Sequence, residues 1–155
     1  VDRVIPHSRA EESVRDARAA YFARAGFASD GGYGDRWVKL KVRGVTVIAF
    51  PNTAARLRSV KLHDIHHVLT GYDTSWAGEA EIGAWELASG CRDHYAAWVL
   101  NFGAVAIGAV LCPRRVWAAF QRGRRSGNLY SGNFSEQLLD RTVADLQQSL
   151  DLTAP

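Results

Sequence analysis

A chain of 155 residues, 47% apolar and 23% charged, is long enough to bury one core and polar enough to remain in water. Its net charge of +3 gives no global drive toward nucleic acid. Cys91 and Cys112 show neither CxxC spacing nor a disulfide-rich pattern, and no secretory signal precedes the first helix. These features predict one domain over residues 1–155, reduced and cytoplasmic.

Ser8 followed by Glu11 is a capping-box pattern for a helix ending near Gly26, with Val14, Ala17 and Tyr21 on one face. SDGGYGD reads as a loop. WVKLKVRGVTVIAF then reads as a hairpin near residues 37–50, turning at Arg43-Gly44. A lone hairpin is rarely stable in water, so this one is expected to pack on the helices. Pro51-Asn52-Thr53 stops the second strand and caps a helix running to Leu69 or Thr70, with Gly71 as terminator. Another helix follows Asp73-Thr74-Ser75 and ends before Gly90. The longest apolar run, Tyr95 to Cys112, is marginal for a membrane span, which needs about 20 residues, and reads as a buried core helix. Pro113 suits the first turn of the next helix. After GRRSGNLYSGN, Asn133 and Ser135 can start one final amphipathic helix carrying Leu138, Leu139, Val143, Leu146 and Leu150. The expected fold class is mainly α, a compact helical bundle with one β-hairpin.

The helix before Gly71 carries His63, Asp64 and His67, and the next carries Glu79. At about 100° per residue, His63 and His67 lie about 40° apart and Asp64 about 60° from His67, so all three can approach one point. Their surroundings are apolar, and an unpaired buried carboxylate is costly. A metal removes that cost; a hydrogen-bonded polar network is the alternative. Glu79, Ile82, Gly83 and Glu86 share a face of the next helix, so Glu79 can complete the set with Glu86 behind it. Gly83 clears space between the two carboxylates, for a close helix or for a ligand. Imidazole with carboxylate suits zinc, and also iron or manganese. His66 points away from His63 and His67 and reads as a surface or second-site residue, not a ligand.

The five tryptophans, Trp37, Trp76, Trp85, Trp98 and Trp117, read as core aromatics, with Trp85 as a candidate pocket wall. The arginines at 114, 115, 122, 124 and 125 form a basic stretch suited to an anionic lipid or phosphate, or to a solvated helix end. Asp93 reads as a cap for the apolar helix, or as half of a polar cluster with His94. Trp98 to Leu111 could wall a lipid-tail tunnel; packing against another helix accounts for the same residues.

From His63 the chain reads His-Asp-x-x-His, eleven residues, then Glu, flanked by HHVLTGYDT and GEAEIGAWE. This pattern resembles the signature of the coenzyme Q biosynthesis protein 4 family over Lys61 to Glu86, and more loosely through Leu111. The resemblance implies a mostly helical fold holding a divalent metal, commonly zinc, through His63, Asp64, His67 and Glu79. It also implies a place in ubiquinone-type biosynthesis: oxidative C1 decarboxylation of a polyprenylated ring, organisation of other pathway enzymes, and a lipid tail held between helices near a membrane.

The leading expectation is a metal-dependent enzyme on an aromatic or isoprenoid small molecule. Asp64 or Glu79 would assist proton transfer, Arg124 and Arg125 would hold anionic groups, and Glu86 and Trp85 would stand behind the ligands. A lipid-binding scaffold with a structural metal is the second expectation. A zincin-like arrangement would put Asp64 in the general-base slot, and an HD-type hydrolase would need an upstream histidine that only His7 supplies. A homo-oligomer and a peripheral contact with the inner face of a membrane stay open; nucleic acid is not expected.

Overall fold

The computed structural model describes residues 11–42 and 45–152. It is mainly helical, in the order α1 (Val14–Ala25), β1 (Trp37–Val42), β2 (Val45–Pro51), α2 (Ala54–Thr70), α3 (Trp76–Ser89), α4 (Tyr95–Leu111) and α5 (Pro113–Gly123). A 3₁₀ turn (Leu129–Ser131), α6 (Glu136–Leu139) and α7 (Val143–Ser149) complete it.

Local chemistry accounts for most of the boundaries. Ser13, Thr53 and Ser75 each accept the backbone N–H three residues on, which caps α1, α2 and α3. Gly26 and Gly71 end α1 and α2 at φ +72° and +78°, a backbone region that glycine enters without strain. The helix start expected from Ser8 differs: Ser8 lies outside the described residues, and α1 begins at Val14 under the Ser13 cap. The single C-terminal helix is also divided. Thr142 accepts from the Asp145 N–H and starts α7 afresh, while the Val14 and Val143 amides donate to the Arg141 and Glu12 carbonyls at 2.9 and 3.0 Å. Pairing with the N-terminal segment interrupts the helix there.

β1 and β2 pair antiparallel, Trp37 opposite Pro51, with a bulge between Leu40 and Lys41; the Arg43-Gly44 turn lies outside the described residues. The hairpin is tied at its base. Asn52 Nδ2 donates to the Asp35 carbonyl at 2.9 Å, and the Arg56 guanidinium lies 5.8 Å from the centre of the Phe50 ring.

The main core joins Val14, Ile65, Leu69, Ala84, Trp85, Leu139 and Leu146. Helix α3 lies at the centre, packed on α4 and α5. Glycines permit the close approach: a Cβ on Gly108 of α4 would collide with Ala80 of α3, and one on Gly123 of α5 would meet the Trp85 carbonyl. Gly83 serves the same purpose. Its face meets the Asn101 backbone of α4, where a Cβ would sit 3.3 Å from the carbonyl oxygen, so the cleared space holds a helix and not a ligand.

Two burial expectations are overturned. Helix α4 is no core helix: Ala97, Asn101 and Gly108 are buried, while Tyr95, Val99, Phe102, Val110 and Leu111 are exposed. Of the tryptophans, Trp85 is fully buried and Trp98 partly, but Trp37, Trp76 and Trp117 are exposed because they occupy outward positions of β1, α3 and α5. No helix among the described residues is long and apolar enough to cross a membrane.

Candidate metal centre

One seam of α2 against α3 brings His63, His67 and Glu79 together, each offering a ligand atom within 4.8 Å of the other two. Hydrogen bonds on the far side of each ring decide which nitrogen is free. His63 Nδ1 lies 2.9 Å from Glu86 Oε1, and His67 Nδ1 lies 2.9 Å from the Tyr72 carbonyl oxygen. Both partners are acceptors, so both Nδ1 atoms carry hydrogen, and in the neutral rings both Nε2 lone pairs are bare. Those two Nε2 atoms face each other at 3.1 Å. Glu79 closes the triangle, its Oε2 3.5 Å from His63 Nε2 and its Oε1 3.5 Å from His67 Nε2.

Two lone pairs and an anion cannot share that space without a cation among them. A proton on one ring is the minimal solution. A divalent ion is the other, and the donor set fits it: bonds of about 2.0–2.1 Å at tetrahedral angles separate neighbouring donors by about 3.4 Å. Three protein donors would leave a zinc ion one position for water or substrate, as catalytic zinc sites do. Solvent reaches the group from the Glu79 side, since that side chain is 37% exposed and His67 is fully covered. Tyr21 stacks on His67 with centroids 5.3 Å apart and planes 19° apart, which fixes the ring.

Asp64, expected as a fourth ligand, lies outside this group of three. Its Oδ2 accepts from the Tyr33 hydroxyl at 2.6 Å, and Tyr33 comes from the glycine-rich loop before β1. Burial raises the Asp64 pKa, the neighbouring His63 charge opposing it; burial and Asp64 raise that of Tyr33. The pair therefore keeps a proton at the edge of the site. For Glu79, burial pulls upward, but hydrogen bonds to His63 and His67 win and bring it down to about 2. Burial likewise opposes ionisation of Glu86, yet His63 and His66 hold it well below the usual carboxylate range. Burial pulls His63 down, and Glu86 and Glu79 more than reverse it.

Glu86 is the hub behind the centre and is fully buried. Its Oε1 accepts from His63 and from His66 Nδ1 at 2.6 Å; its Oε2 accepts from Asn101 Nδ2 at 2.6 Å and from the Tyr130 hydroxyl at 3.0 Å. Such a carboxylate behind an imidazole fixes the tautomer and aims the opposite nitrogen.

His66 is not a surface residue. It is fully buried, wedged edge-on against Trp85 and Tyr130, and its Nε2 accepts the Leu129 N–H at 3.0 Å. The 3₁₀ turn is what buries it. Trp85 is not a pocket wall either: it backs His66 in the core and donates Nε1–H to Ser126 Oγ at 2.9 Å. Sequence reasoning passed over Tyr33, Tyr130 and the Tyr72 carbonyl. Asn101 had a readable signal, because it is the one polar side chain in the apolar run of α4.

Arg124 and Arg125 are exposed beyond α5 and make no hydrogen bond to the histidine–glutamate group among the described residues. Arg115 forks onto Glu81 at 2.6 and 2.9 Å, and Arg122 donates to the Thr70 carbonyl at 2.9 Å. Asp93 does not cap α4: the capping position is His94, which has no capping bond and lies buried with its Nδ1 3.2 Å from Ser59 Oγ. No protein-family model matches the chain, and no curated protein matches it.

Proposed function

We propose that this chain is a divalent-metal-dependent enzyme whose ion is held by His63, His67 and Glu79 and whose substrate is an aromatic or prenylated small molecule. The supporting observation is the convergence of two bare Nε2 atoms, each turned inward by a hydrogen bond on its Nδ1, on a carboxylate. Zinc is the first choice, with iron or manganese compatible with the same donors. Bound there, such an ion supplies a Lewis acid for a carboxylate or carbonyl oxygen and acidifies water.

The chain's own residues have separable tasks. Glu86 and the Tyr72 carbonyl hold the imidazoles in one tautomer. Tyr21 keeps the His67 ring from rotating. Asp64 and Tyr33 hold and pass a proton at the edge of the site, which makes Asp64 the proton-transfer residue and leaves Glu79 as a ligand. The substrate class rests on the resemblance over Lys61 to Glu86 to the coenzyme Q biosynthesis protein 4 family, in which oxidative C1 decarboxylation of a prenylated ring is the associated chemistry. An HD-type hydrolase would need Asp64 as a ligand, and its bond to Tyr33 argues against that. A lipid-binding scaffold with a structural metal draws support from the apolar groove between α3, α4 and α5 lined by Leu87, Phe102, Val105 and Trp117.

Metal analysis of protein purified with zinc, iron and manganese available tests the reading. Wild type is expected to carry about one ion per chain, and His67→Ala and Glu79→Ala to lose it while keeping their helical circular dichroism. Metal-free wild type would overturn the proposal. Unfolding upon loss of the ion would transfer support to the scaffold reading.

A further inference from the structure

The outward face of α4 has no partner among the described residues. The helix carries no charged residue in its 17 positions, and its one polar side chain, Asn101, points inward to Glu86. At about 100° per residue, Tyr95, Val99, Phe102 and Val110 form one stripe, and Leu100, Ile107 and Leu111 flank it. Trp117 of α5 extends the patch across the groove it shares with Phe102. Taking about 150–250 Å² for each large side chain, the exposed fractions sum to on the order of 900 Å² of apolar surface. Monomer surfaces rarely carry patches beyond about 300–600 Å², while a stable interface buries about 800 Å² per partner.

Gly103 says what kind of object covers this face. It is the midpoint of α4, and a Cβ built on it would meet nothing within 4 Å. A glycine inside an exposed helix lowers helix stability, and nothing among the described residues needs its small size. Gly83, Gly108 and Gly123, by contrast, all sit under another backbone or side chain. A lipid surface gains nothing from a missing side chain at the centre of the patch, whereas a second helix does. A two-fold axis through a midpoint glycine is self-complementary. It places Val99 of one copy against Ile107 of the other, and Tyr95 against Leu111. It also brings Asp93, exposed before α4, toward Arg114, exposed after it.

We propose that the chain forms a symmetric homodimer through α4, two copies crossing antiparallel at Gly103. The proposal is independent of the metal reading. Sedimentation velocity of the whole chain without detergent, across the micromolar range, tests it, alongside flotation with vesicles of anionic phospholipid. Wild type is expected to sediment at twice its 17.0 kDa chain mass. Val99→Glu is expected to raise the dissociation constant about 30-fold or more, the scale of a lost hot spot. Gly103→Leu provides a variant whose monomer has open space for the new side chain, and it is expected to be monomeric with unchanged helical circular dichroism. Monomeric wild type, dimers that survive both substitutions, or a wild-type monomer that floats with vesicles would each overturn the proposal.

Discussion

The α2–α3 seam and the outward face of α4 depart from ordinary burial in opposite directions. In the seam, ionisable groups lie where apolar ones are expected; on α4, apolar groups lie where polar ones are expected. The seam satisfies itself almost completely. Glu86 takes hydrogen bonds from His63, His66, Asn101 and Tyr130, and the remaining demand is concentrated at two Nε2 atoms and Glu79. The α4 face satisfies none of its surface. A polar anomaly can be narrowed to the volume of one ion because hydrogen bonds are directional. An apolar anomaly stays spread over a helix because hydrophobic attraction has no direction.

The largest expected effect is at Glu86. Glu86→Ala strands four donors, three of them buried, and urea unfolding should show a loss of about 3–5 kcal/mol, the cost of breaking a buried charged network. A loss below 1 kcal/mol would mean that water or rearrangement satisfies the seam, and the contrast with α4 would weaken. Next is the inner face of α4 itself. Gly108→Ala puts a methyl group into Ala80 and should cost about 1–3 kcal/mol in the same assay; a neutral result would show that α3 and α4 slide apart freely.

The smallest effect is a dependence on pH. In metal-free protein the His63 pKa lies well above its ordinary 6.5. Its stabilisation is therefore complete below pH 6.5 and is lost as pH rises through the folded value. Zinc needs that nitrogen unprotonated, so zinc affinity should rise over the same interval. Thermal melts with and without chelator should diverge above pH 6.5, the metal-free melting temperature falling and the zinc-loaded one holding. Parallel curves would remove His63 from the site.

Helix limits were legible because their signals are local. Thr53, Ser75, Gly71 and Pro113 act on the residues beside them, and each does in the structure what its type predicts. The break at Thr142 had the same kind of signal, with Asp145 three residues on, but the apolar spacing from Leu138 to Leu150 reads through it. The fate of α4 was not legible: seventeen residues without charge look alike whether their cover is the same chain or another. His66 was misplaced for a related reason. What buries it is Leu129 and Tyr130, more than sixty residues away, and no period along α2 contains them. Helical spacing places His63 and His67 side by side, as they stand in the structure, while Asp64 bonds a tyrosine from a loop with no motif.

The turn at Gly71 has one more consequence. It sends the chain back so that the carbonyl of Tyr72 meets His67 Nδ1, whereas His63 receives the same instruction from the side chain of Glu86. The two imidazoles are thus unequally exposed to genetic change. Substitutions at Glu86 can erase the orientation of His63. Nearly any residue at position 72 keeps the carbonyl that orients His67, so that half of the centre is vulnerable at Gly71 instead, where a side chain would strain the left-handed turn.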